Sequence, residues 1–156
     1  MKYVVVERQG RGSFWHDPSA YLAALPDLRT SLPAGAQAFA CDSDHYEFSS
    51  PRCVKDLKLG ALPPTRFPSP GFEMRLLCCR GVSEHGLTLR YTKVAQMDVV
   101  TDDGEPFALS DYNSLRLDEI LPHEIGCSHE LRFTAATIRI VCADLTAHWD
   151  PLPQPH

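Results

Sequence analysis

The sequence contains no long hydrophobic run. Its first apolar stretch, Tyr3 to Val6, stops at Glu7 and Arg8, too short for the core of a secretory signal, and no later segment approaches the roughly 20 apolar residues of a bilayer-spanning helix. A cytoplasmic protein with no membrane partner is therefore expected. Positive charge is not in excess either: 15 Lys and Arg against 20 Asp and Glu leave a net charge of -5. That balance argues against nucleic acid, which selects a basic face, and suits a basic partner. No C-x-x-C pair occurs among the six cysteines, which excludes the usual zinc-ribbon and thioredoxin arrangements. In a reducing compartment they are expected as free thiols, and adjacent Cys78 and Cys79 point to opposite faces of any strand that carries them. Walker loop, dinucleotide-binding glycine fingerprint, G-x-S-x-G elbow and internal repeat are all missing, and no cofactor is expected.

What is present suits one domain. A chain of 156 residues, 44% hydrophobic and 22% charged, can bury roughly 70% of its unfolded surface, enough to fold alone or as a small oligomer. The β-branched residues 2 to 7 predict a strand. In "HDPSAYLAALPDLRTSLP", Asp17 can cap a helix, Pro18 suits its first turn, Tyr21, Leu22, Leu25 and Leu28 share a face, and Pro26 predicts a break or kink. A polar loop through "CDSDHYEFSSP" leads to a short strand with Val54, Leu57 and Leu59, then to an extended proline loop, "PPTRFPSPG". From residue 72 the pattern becomes repeated strands. Phe72, Met74, Leu76 and Cys78 alternate inward, as do Leu87, Leu89 and Tyr91, and "VAQMDVV" runs into an Asp103-Gly104 hairpin signal. "SLRLDEIL", "SHELRFT" and "TIRIVCADLTAHW" each predict a further strand. The fold class read from this order is α+β: a short N-terminal strand and helix, then a mainly antiparallel sheet curling into a sandwich or half-barrel over residues 1 to 150, with 151 to 156 a flexible Pro-rich tail.

The densest chemistry lies in "HEIGCSHE", residues 123 to 130. The zinc-protease spacing H-E-x-x-H is absent, because the two histidines stand six apart and Gly126 interrupts. His123, Cys127 and His129 are nevertheless the candidate metal ligands, with Asp118 or Cys142 as a fourth. Cys127 beside His129 is the candidate nucleophile and base. The competing expectation is a hairpin whose turn needs Pro122 and Gly126 and whose charges face water. "CDSDHYEF" opens like a calcium loop through Asp42 and Asp44, yet Glu47 and Cys53 occupy positions that such a loop reserves for glycine and glutamate. Strand parity places Arg75, Arg90, Arg116, Arg132 and Arg139 opposite the apolar residues of their own strands, a candidate interaction face.

The succession "RCVKDLKL", "LTLRYTKVAQMDV", "LDEILPHEI", "SHELRFT" and "IRIVCADL", spanning about residues 45 to 149, resembles a class of small bacterial β-rich proteins. Some of that class resemble single-domain immunity proteins, which bind and neutralise a toxin. The resemblance implies a noncatalytic, cytoplasmic protein-binding domain with a protein partner. Two alternatives remain open: a small metal- or thiol-dependent enzyme centred on 123 to 129, and a small-ligand binder with Tyr91, Phe133 and Trp149 lining a cavity.

Overall fold

The computed structural model describes residues 1–62, 64–65, 71–78, 85–104, 106 and 114–151. Strands β1 (Val5–Gly10) and β2 (Ser13–Asp17) form an N-terminal hairpin, followed by α1 (Ser19–Leu28), a 3-10 turn (Arg29–Ser31) and α2 (Ala34–Ala40). The remaining strands are β3 (Lys58–Ala61), β4 (Pro64–Thr65), β5 (Gly71–Leu77), β6 (Gly86–Thr92), β7 (Gln96–Thr101), β8 (Leu115–His123), β9 (Gly126–Phe133), β10 (Ala136–Cys142) and β11 (Asp144–Trp149). They build two antiparallel sheets, ordered β7-β10-β9-β8 and β11-β6-β5-β3, with β4 on β5. The α+β sandwich expected from the sequence is the architecture found.

Helix α1 obeys its sequence with two corrections. Ser19 donates to Asp17 Oδ1 at 2.9 Å, but the cap residue is Pro18, and Pro26 lies within the helix rather than ending it. Pro26 and Leu22 are both exposed, and the proline supplies no N–H to the Leu22 carbonyl one turn before it. Tyr21 and Leu25 bury against the sheet, whereas Leu22 stays 46% exposed at the edge of the apolar stripe. The first strand begins at Val5 rather than at residue 2. Val54 and Leu57 are buried ahead of β3, not within it. Pro64 is in a ladder after all, in a two-residue strand at a sheet edge, where a missing N–H is tolerated; residues 63 and 66 to 70 of that loop, Cys79, and 152 to 156 of the tail lie outside the described residues.

The Asp103-Gly104 signal is half right. Both residues take positive φ, 52° and 72°, but β7 pairs with β10 and not with the strand that follows it. A turn dipeptide sets a local reversal; the partner is decided by which apolar face must be covered. "TIRIVCADLTAHW", expected as one strand, is likewise two, because the chain bends at Ala143 and its halves join different sheets. β6 and β7 bend in step at 93 to 95, and the corner is held by Ala95 N–H on the Val141 carbonyl at 2.8 Å and Ala143 N–H on the Thr92 carbonyl at 3.0 Å. On the far side, Lys58 and Ser114 form a bridge and Leu115 N–H reaches the Leu57 carbonyl at 2.6 Å. The sheets are thus joined along both sides.

Between them Met74, Leu76, Leu87, Leu89, Leu131, Phe133, Ile138, Ile140 and Leu145 are at most 1% exposed. Each large apolar side chain so buried contributes roughly 1.5 to 3 kcal/mol. Two glycines are required by close approach. A Cβ on Gly126 would lie 2.2 Å from the Ala143 carbonyl oxygen, and one on Gly35 2.2 Å from that of Leu145. The second contact seats α2 on β11, where the Asp144 carboxylate accepts from the Gly35 and Ala36 amides at 3.1 and 2.9 Å. Among the described residues no helix is long and apolar enough to cross a membrane.

Candidate functional site

The hairpin of "HEIGCSHE" is present, with His123 facing Gly126 across a two-residue turn, but its polar groups do not all face water: His129, like Cys127, points into the core, and Glu130 is half-buried. His123 stays at the rim, its Nδ1 accepting from the Ile125 amide at 3.2 Å, while Cys127 and His129 are fully buried. The three proposed metal ligands are therefore split between the tip and the core. Among the described residues no three His, Cys, Asp or Glu side chains are arranged to hold a metal ion.

What His129 meets instead is a buried polar cluster. Its Nε2 lies 2.8 Å from Asp118 Oδ2, while His45, from the loop after α2, places Nε2 2.7 Å from Asp118 Oδ1. His45 Nδ1 lies 2.9 Å from the Phe39 carbonyl. A carbonyl and a carboxylate both accept, so both nitrogens of His45 carry protons and the ring is an imidazolium. On His129, Nε2 faces the carboxylate and Nδ1 meets the Tyr91 hydroxyl at 2.8 Å. Asp118, His45, His129 and Tyr91 are all at most 2% exposed. The Asp118 carboxylate and the His45 imidazolium are thus enclosed together as a buried ion pair.

The electrostatics agree with that assignment. Burial alone would lower the pKa of His45, but the charge and hydrogen bond of Asp118, with the Phe39 carbonyl, more than offset it and hold it above the ordinary histidine value. Burial would likewise raise Asp118, yet the charge and hydrogen bond of His45, with those of His129, keep its carboxyl well below the usual carboxylate range. Desolvation pushes the Tyr91 phenol far up, so it stays protonated. Tyr46 and Tyr21 complete the seam, donating at 2.7 Å to the Asp118 and Ile120 carbonyls.

These shifts set a pH dependence with two opposite signs. His45, raised, contributes fully below the unfolded histidine value of about 6.5, and that contribution is lost as pH rises through its folded pKa. Asp118, depressed, contributes fully above about 3.9, and that contribution is lost as pH falls through its folded pKa. The pair is expected to support folding best between about pH 4 and 6.5. Urea midpoints measured across pH 4 to 9 should fall on the alkaline side; a flat profile above about pH 6.5 would contradict the imidazolium assignment.

Phe39 separates the cluster from solvent. Its ring centroid is 4.3 Å from that of His45 and 6.3 Å from that of His129. Its other side, with Asp42, Thr146 and Trp149, lines an open cleft of about 320 Å³ between α2 and β11. Of the three proposed cavity aromatics, Tyr91 and Phe133 are core residues and Trp149 lines this cleft.

The five arginines divide between the sheets. Arg75 and Arg90, on β5 and β6, pair with Asp150 and Glu73; Arg132, on β9, binds Asp102 with both terminal nitrogens at 2.7 Å. Arg116 reaches Asp56 at 2.7 Å, and Arg139 on β10 stands in register between Glu130 and Asp98. Sequence reasoning missed His45 and Tyr46 outright, because an acidic loop reads as solvated. No protein-family model matches the chain, and no curated protein matches it either.

Proposed function

We propose that the chain is a noncatalytic protein-binding domain of the immunity type, acting in the cytoplasm by covering a basic surface of its partner. The outward face of the β1–β2 hairpin carries this reading. Strand register puts Val5, Glu7, Trp15 and Asp17 on that face, with Val5 and Trp15 37% and 54% exposed. A half-exposed tryptophan flanked by two carboxylates fits a partner that presents apolar surface and cations together, and tryptophan is the residue type most enriched where binding energy concentrates. The Asp17 carboxyl is held below its ordinary value by the Ser19 hydrogen bonds and stays ionised.

The reverse face explains how the hairpin is held. Phe14 lies between the Arg8 and Arg116 guanidinium groups, 5.1 and 5.6 Å from its centroid, and His16 meets the edge of Phe48 at 6.2 Å. Phe48, against His16 on this reverse face, and Leu22, which lines a shallow cleft with Glu47, are also 45% and 46% exposed. A rigid platform presenting aromatic anchors loses little conformational freedom on association.

Native mass spectrometry of the protein purified gently from its own host is expected to show an added protein mass. Replacing Trp15→Ala should weaken that complex at least about tenfold, and Glu7→Lys should slow its formation, with circular dichroism unchanged. A chain that arrives alone, a complex indifferent to both changes, or turnover of a substrate dependent on one side chain would overturn the proposal.

A further inference from the structure

We infer that Cys127 and Cys142 form a redox-active dithiol, which a hydroperoxide converts into an intrachain disulfide and a small-molecule thiol restores. The two residues stand directly opposite each other on β9 and β10, with both thiols free and their sulfurs 3.7 Å apart. Directly paired residues of antiparallel strands hold their Cα atoms about 4.5 to 5.5 Å apart, inside the span of about 4.4 to 6.8 Å that a disulfide tolerates. Side-chain rotation can therefore close the sulfurs to about 2.05 Å while the strands stay paired.

Position supplies the access that burial denies. Cys127 is the second residue of β9 after the hairpin tip, and Cys142 is the last of β10 before the corner at Ala143. The pair thus sits at a strand end, where local opening costs least, and hydrogen peroxide is little larger than water. In the contact between the two sulfurs either S–H can donate, and whichever thiol ionises is stabilised by the S–H of the other and is the first nucleophile.

The chemistry balances in two steps. The thiolate of one cysteine attacks one oxygen of the hydroperoxide and the O–O bond breaks; sulfur loses two electrons and becomes a sulfenic acid, and the departing alkoxide takes the proton that this thiol released, leaving as an alcohol, or as water when the oxidant is hydrogen peroxide. The sulfur of the other cysteine then attacks the sulfenic sulfur, the S–O bond breaks, and hydroxide leaves with the second thiol's proton as water. Two thiols and one hydroperoxide yield one disulfide, one alcohol and one water.

The test treats the folded, reduced protein with equimolar hydrogen peroxide, alkylates the remaining thiols and digests with trypsin, which separates the residues into peptides 117–132 and 140–156. Those two peptides should be recovered linked, with the intact mass lowered by two hydrogens and dithiothreitol reversing the change. Recovery as separate alkylated peptides, or linkage only after unfolding in urea, would overturn the inference. Dimedone should trap a sulfenic acid on the remaining cysteine of the pair in Cys127→Ser or in Cys142→Ser. Absence of tagging in both would overturn the inference, and the wild-type linkage stands as a test even if either variant fails to fold.

Discussion

Replacing Asp118→Asn is expected to destabilise the protein by about 3 to 5 kcal/mol, the usual cost of leaving a buried charge without its counterion. The substitution changes almost no volume, so packing cannot be blamed for the loss. What it removes is the carboxylate that both imidazoles address, at 2.7 and 2.8 Å. His45 is the group that suffers most. Its Nδ1 stays committed to the Phe39 carbonyl, so an asparagine that turns its amide toward Nε2 sets donor against donor, and one that turns its oxygen there takes it from His129. For a chain of this length the change corresponds to a melting temperature lowered by about 6 to 20 °C. A melt within about 2 °C of wild type would sink the ion-pair assignment. The double variant with His45→Gln separates causes further: if the lost interaction is the pair itself, adding His45→Gln to Asp118→Asn should cost far less than it costs alone.

The second large effect belongs to the adjacent residue on the opposite face. Glu119 is 1% exposed, yet its carboxylate accepts from the amides of Lys2, Tyr3 and Val4 at 2.6, 2.7 and 2.8 Å. Three backbone donors converge on one anion. Glutamine has one oxygen to offer, so Glu119→Gln leaves at least one amide facing an N–H₂ group, at a cost of about 1 to 3 kcal/mol plus the loss of charge assistance. The damage should be local. Hydrogen exchange is expected to accelerate at residues 2 to 4 and along the β1–β2 hairpin, with trypsin cutting sooner at Arg8 and Arg11, while the core strands keep their protection. Unchanged exchange at Lys2, Tyr3 and Val4 would refute the anchoring role. Because the same hairpin displays Trp15, the variant should also bind the proposed partner more weakly.

Much of the sheet was legible because one face of each strand is buried and side chains alternate strictly. Met74 and Leu76, Leu87, Leu89 and Tyr91, and His129, Leu131 and Phe133 are the inward sets that period-2 reading predicts. Gly126 reads as a turn residue in the sequence, whereas it opens β9 and is required by the close approach of the Ala143 carbonyl. Asp118 and Glu119 were harder, since neighbouring acids on a strand normally imply one wet face. Here both faces are covered, one by the helices and the 41 to 57 loop, the other by the N-terminal segment, and no local pattern announces covering by distant chain. A bulge between Leu115 and Leu117 further resets the alternation just before them. His45 hid inside the acidic run "CDSDHYEF". One overlooked sign was local: inward residues run Ile138, Ile140, Cys142 and then Leu145, Ala147, Trp149, a slip from even to odd that marks the bend at Ala143.

That bend governs how the molecule comes apart. Two strands of each sheet are continuations of two strands in the other, so the sandwich has no plane of weakness between its layers. Peeling one layer away would tear the same two chain segments out of both. Separation of the layers is therefore all-or-none, whereas strand ends can fray and the hairpin held by Glu119 can leave as a separate unit.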